Sequence, residues 1–171
     1  MLPFALTIEA WYPVTAPHTS GSLDRSRASY EKVISQFEVE RNPRYRPTAE
    51  KTWCKTYVWD VTRAMGAEIP HWWMGKELTA NEAIQWLAGA NGSAHGWRQE
   101  LNSDAARIAA LSGRPTVVVW RNPVASKHGH MAMVLPDSNE LVISQAGTSN
   151  FARARINVGF GDKPVTFWSH P

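Results

Sequence analysis

The chain is 171 residues long, 43% hydrophobic and 19% charged, which suits a single globular domain with a sizeable core and excludes a disordered chain. Its one cysteine excludes an intrachain disulfide and a multi-cysteine zinc site, and no uninterrupted apolar run approaches the length of a membrane span. The net charge of +3, with a pI of about 9.2 and dispersed Lys and Arg, suits adhesion to a polyanion such as a cell wall, whereas nucleic acid selects a basic stripe that is missing here.

Met1-Leu2-Pro3-Phe4-Ala5-Leu6-Thr7-Ile8-Glu9 has no basic n-region, and Pro3 and Glu9 interrupt its apolar stretch. A signal peptide is therefore not expected, and synthesis in the cytoplasm is. Residues 1–28, punctuated by Pro3, Pro13, Pro17 and Ser20-Gly21-Ser22, read as an extended arm packed on a single domain of residues 29–171. Ser29 is placed to cap a helix whose apolar positions are Tyr30, Val33, Ile34 and Phe37. It ends before Pro43, and a turn-rich link containing Pro43 and Pro47 follows.

The next helix is the centre of the reading. Thr52 is a natural N-cap, the apolar positions Cys54, Val58, Val61 and Met65 share one face, and Gly66 suits the C-terminal turn. Cys54 then falls in the first turn, where the helix dipole and unpaired N–H groups favour a thiolate over a thiol. A lone cysteine can equally be a small buried hydrophobe.

Glu68-Ile69-Pro70-His71-Trp72-Trp73 reads as an aromatic loop. Thr79 and Glu82 form a capping box ahead of a short helix with Ala83, Ile84, Trp86 and Leu87. Gly89 to Gly96 reads as loop, and Ser103 opens a helix through Ile108 and Leu111 that Gly113 and Pro115 close. From Thr116 the period changes. Thr116–Trp120 is a β-branched buried strand, His130–Val134 and Leu141–Gln145 form an antiparallel hairpin across Pro136–Asn139, and Pro164–Trp168 is a closing strand. Helices first and strands later make an α+β fold.

A nucleophilic cysteine needs a base and a group that orients the base. Of six histidines, His18 and His170 lie near the ends, His95 lies in a glycine-containing loop, and His71 follows the nucleophile helix closely enough to touch substrate. His128 and His130 remain, in Lys127-His128-Gly129-His130. His130 opens a strand after a glycine and is the preferred base, with His128 left to the substrate side. Both could share a strand face and bind a metal, but no third ligand is nominated, so no metal and no cofactor are expected. Gln145, at the end of the neighbouring strand, offers an amide oxygen to fix the imidazole tautomer. Tyr45 or Asn42 could supply an oxyanion contact beside the Cys54 backbone N–H, and Asp60, Trp72 and Trp73 could wall a groove; each has an ordinary packing or surface role as its alternative.

A cysteine opening a helix, a Gly-His-Met-Ala-Met-Val strand, and a strand ending in Gln145-Ala146-Gly147 together resemble the papain-like cell-wall cysteine peptidases, the CHAP and NlpC-type amidases and endopeptidases. The similarity spans roughly residues 42–147, with Cys54, His130 and Gln145 in the family's order. Trp53 and Lys55 flank the cysteine where the family often has an acidic residue before it or a serine after it. The resemblance implies a papain-like fold and a hydrolase that cuts an amide in peptidoglycan, either a stem-peptide endopeptidase or an N-acetylmuramoyl-L-alanine amidase. It implies a phage lysin or antibacterial effector that acts on the cell wall as a monomer, with an immunity protein, a holin or a secretion system as partner. Two alternatives stay open. One is a glutamine deamidase or transglutaminase-like toxin, and the other a non-catalytic, Trp-rich wall-binding module.

Overall fold

The computed structural model describes residues 13–171; the reading of Met1–Glu9 and the start of the expected arm lie outside the described residues. Helix α1 runs over Arg27–Ser35. Its N-cap is Ser26 and not the expected Ser29. Ser26 Oγ accepts the Ser29 N–H at 3.0 Å while Ser29 Oγ accepts the Ser26 N–H at 3.1 Å, so the pair closes a reciprocal box on two otherwise orphaned donors. The described part of the expected arm is bonded to residues 64 and 65: the Ser20 N–H donates to Ala64 O at 3.0 Å, and Arg25 donates to Met65 O at 2.6 Å.

A 3-10 turn over Pro43–Tyr45, capped by Asn42, leads toward α2, Cys54–Ala64. The N-cap of α2 is Trp53, which makes no side-chain capping bond, so the hydroxyl of Thr52 stands one residue too early for the role expected of it. Helix α2 buries Tyr57, Val58 and Val61 completely, and Gly66, at φ 63°, ends it in the left-handed region as its position suggests.

The aromatic loop contains a two-residue hairpin, β1 (Trp72–Trp73) with β2 (Lys76–Glu77). Both residues at its turn, Met74 and Gly75, have positive φ, as a type I′ connection requires. The Thr79–Glu82 box opens α3, Ala80–Ala88, as expected. The expected Gly89–Gly96 loop holds a short helix, α4 (Ala90–Ala94), followed by strand β3 (Arg98–Glu100). Helix α5, Ser103–Leu111, has Asn102 as its N-cap.

Strands β4 (Thr116–Trp120), β5 (His130–Val134) and β6 (Val142–Gln145) fall where the change of period put them. Then come β7 (Phe151–Arg155), helix α6 (Ile156–Phe160) and β8 (Thr166–Ser169). The six long-range strands form one antiparallel sheet, in the order β3-β8-β4-β5-β6-β7. The fold is α+β, with N-terminal helices packed on a six-stranded antiparallel sheet. Val117, Val118 and Val119 are all buried, because β4 sits centrally and is covered on both faces.

Helix α2 lies across β5 and β6. Its Tyr57 hydroxyl meets Ser144 Oγ at 2.7 Å in the buried interface, which sets the rotation of the helix against the sheet one residue from Gln145. Tyr30 does a similar service for α1. Its hydroxyl donates to Val134 O at 2.8 Å and receives the Thr116 N–H at 3.2 Å, so α1 bridges β4 and β5. Among the described residues, no helix is long and apolar enough to cross a membrane.

Candidate active site

Three elements bring Cys54, His130 and Gln145 together. Cys54 is the first residue of α2, His130 the first of β5, and Gln145 the last of β6. Antiparallel pairing of β5 with β6, through Met133 opposite Ser144, returns the end of β6 to the start of β5. His130 Nε2 and Gln145 Oε1 are 2.6 Å apart. Since an amide oxygen only accepts, Nε2 carries the proton, and Nδ1 is the nitrogen left for sulfur.

Burial pushes the Cys54 thiol up, but the hydrogen bond and charge of His130 and backbone bonds from Met131 and Lys55 outweigh it, so the thiol ionises below its ordinary range. The same contact read from the imidazole runs in the matching direction. Burial lowers His130, yet the bond and charge of Cys54 and the Gln145 contact raise it overall, against a lowering from Lys163. The contact therefore favours the thiolate–imidazolium form of the pair. Cys54, 5% exposed, opens onto a cavity of about 490 Å³ whose walls come from residues 48–56, Glu77–Ala80, His128, Gly129 and Thr148.

Neighbouring groups hold this geometry. Asn81 accepts the Asn122 N–H at 2.9 Å and donates to Lys127 O at 3.0 Å, clamping the loop that leads to His130. A Cβ on Gly129 would stand 2.6 Å from both Asn81 Oδ1 and Trp120 O, so only glycine fits before the histidine. After β6, Gly147 N donates to Asn150 Oδ1 at 3.0 Å and Asn150 Nδ2 donates to Tyr45 O at 2.7 Å. Gln145 is itself anchored by its Nε2 to Ser149 O at 3.0 Å. Helix α6 covers the pair from the other side, with the Phe160 ring 4.8 Å from that of His130.

A Cβ on Gly159 would lie 2.4 Å from Gln145 Oε1 and 3.0 Å from Ile143 Cδ1. Gly159→Ala is therefore expected to displace the Gln145 oxygen from His130 and raise the pH at which iodoacetamide alkylates Cys54, with circular dichroism unchanged. A folded Gly159→Ala protein with the wild-type alkylation profile would contradict that role for α6.

The other candidate residues are placed as follows. His128 is exposed and lines the cavity beside Gly129. Trp72, half-exposed, and Trp73 lie on the β1–β2 hairpin and do not line it; Trp73 packs edge-on to Trp86 at 5.5 Å and to His95 at 5.6 Å. Tyr45 and Asp60 are buried, the Tyr45 hydroxyl donates to Asp60 at 2.7 Å, and neither lines the cavity. Arg44 completes that unit with two bonds to the Asp60 carboxylate, at 2.7 and 3.0 Å. Asn42 is committed to Arg44 N and Phe37 O. The structure thus gives Tyr45, Asn42 and Asp60 roles in packing the link onto α2.

His71 is buried and stacked on Trp59 at 4.6 Å. Burial, with Lys55, Lys51 and Arg44 nearby, pushes it down to about 3, so it is neutral at ordinary pH. Among the described residues no three of His, Cys, Asp and Glu gather to hold a metal ion.

Sequence reading missed Lys55, Glu77, Gly159 and Phe160. The Lys55–Glu77 contact joins residues 22 apart with no motif between them, and α6 is too short to show a helical period. Compared with known proteins, the chain matches no family model and no curated relative.

Proposed function

We propose that this chain is a cysteine-dependent peptidoglycan hydrolase of the papain-like cell-wall type, cutting an amide bond as a stem-peptide endopeptidase or an N-acetylmuramoyl-L-alanine amidase. It would serve phage lysis or antibacterial attack as a monomer, with an immunity protein, holin or secretion system as its partner. The observation that carries the reading is a thiol at a helix start, in contact with an imidazole that a glutamine orients, opening onto a cavity. The order of the three residues on helix, strand and next strand, with the helix laid across the sheet, supports the papain-like assignment.

In the proposed reaction the Cys54 thiolate adds to the substrate carbonyl, and the developing oxyanion is stabilised by the Cys54 backbone N–H, one of the first-turn donors without an intrahelical acceptor. His130, protonated in the resting pair, gives its proton to the leaving nitrogen as the C–N bond breaks. A water molecule then attacks the thioester while His130 takes its proton, and cleavage of the C–S bond returns the thiolate. Gln145 keeps the ring turned so that Nδ1 faces sulfur throughout.

The test is clearing of a purified peptidoglycan suspension, expected for the wild type and absent for Cys54→Ala. Ammonia release from protein glutamines without solubilisation would move the triad to a deamidase or transglutaminase-like reaction. Full activity in Cys54→Ser, with a native Cys54 inert to iodoacetamide, would leave a wall-binding module.

A further inference from the structure

Beside the nucleophile, the cavity wall carries a carboxylate that the triad does not use. Glu77 lies at the end of β2 and lines the cavity, with its side chain 31% exposed. Its Oε1 is approached at 3.3 Å by Lys55 Nζ and at 3.3 Å by His71 Nε2. Lys55 is the residue after Cys54, is only 11% exposed, and also donates to Leu78 O. His71 is 1% exposed. Lys55 lines the cavity beside the carboxylate, whereas His71 lies outside its walls.

Glu77 is also fixed in place. The Leu78 N–H donates to His71 O at 3.0 Å, closing the segment that carries it back on the loop that carries His71. Both contacts fall on Oε1, which leaves Oε2 for a ligand, and an ionised carboxylate has room for several donors. Thr48, Thr52, Thr79 and Thr148 line the same space. Lys51, the other cation of the wall, sits over the Trp53 ring at 4.5 Å.

We infer that Glu77 is an ammonium-binding subsite, selecting substrates that carry a free amino group close to the carbonyl attacked by Cys54. This rests on the hydrolase reading above and adds to it the chemistry of the group next to the scissile bond. An acylated amine would remove the charge that the carboxylate attracts, and a substrate carboxylate at this position would be repelled by it.

The inference is tested by alkylating Cys54 with bromoacetamides of similar length: N-(2-aminoethyl)bromoacetamide, N-propylbromoacetamide and N-bromoacetyl-β-alanine, ending in an ammonium, a methyl and a carboxylate. Rates are normalised to those of a free thiol. Wild-type Cys54 is expected to favour the ammonium reagent over the methyl one by about threefold to fivefold, the size of one partly exposed ion pair. The preference should shrink with added salt and disappear in Glu77→Gln. Equal normalised rates in the wild type, a preference for the carboxylate reagent, or a preference that survives in Glu77→Gln would overturn it. The wild-type comparison decides even if the variant fails to fold. A native Cys54 that reacts with none of the three overturns the hydrolase reading, and this inference with it.

Discussion

On the proposed hydrolase reading, His130→Ala is expected to slow peptidoglycan solubilisation by about a thousandfold while leaving the fold intact. The size follows from two losses at one atom. The variant has no group to protonate the leaving nitrogen, and positioned acid–base catalysis contributes about 10²–10⁴-fold. It also has no partner for the thiolate. Burial already pushes the Cys54 thiol up, and only the His130 contact and two backbone bonds reverse this; with the ring gone, burial gains the upper hand. Gln145→Ala should cost less, roughly ten- to a hundredfold, since it frees the ring to turn without removing it. A fall of less than about tenfold in His130→Ala, measured as initial rate of turbidity loss, would mean that another group carries the proton.

Asp60→Ala is expected to have the largest effect on stability, about 3–5 kcal/mol. The Asp60 side chain is fully buried and that of Arg44 is 7% exposed, so the pair is screened from water. Removing the carboxylate takes away two bonds to a buried guanidinium and the acceptor of the Tyr45 hydroxyl. Out of a typical total of about 5–15 kcal/mol, that loss brings the protein near its threshold. Equilibrium denaturation of the variant is the check. A shift below about 1 kcal/mol would show that the carboxylate is dispensable to the core.

The part of the site that was legible lay in short stretches whose local chemistry and position agree. Cys54 heads an amphipathic helix, His130 follows a glycine into an apolar strand, and Gln145 ends the next strand. The hairpin turn at Pro136–Asn139 fixes how those two strands meet, so the His130–Gln145 contact followed from the turn. Where two residues could cap a helix, the reading chose wrongly in α1, because Ser26 and Ser29 serve each other. In α2 no hydroxyl caps at all. The fate of Asp60 was not legible, since a charged residue within a helix looks solvated until Arg44 folds back over it from an irregular link. Strand β7 was missed for a related reason. Phe151-Ala152-Arg153-Ala154-Arg155 is an edge strand that leaves its arginines exposed, so it has no continuous apolar signal. The covering contact of Gly159 and Phe160 depends on the path that follows β7, and was hidden with it.

The central claim is that the buried sulfur is ionised by the ring beside it, and the pH dependence of iodoacetamide alkylation measures this directly. The contact lowers the thiol and raises the imidazole, so it favours the thiolate–imidazolium form, which is lost as pH falls through the lowered thiol value. Wild-type Cys54 should therefore react at lower pH than an ordinary thiol, whose pKa is about 8.5. His130→Ala should push the reaction to alkaline pH. If the wild-type profile instead coincides with that of His130→Ala, sulfur and imidazole are not coupled and the account fails.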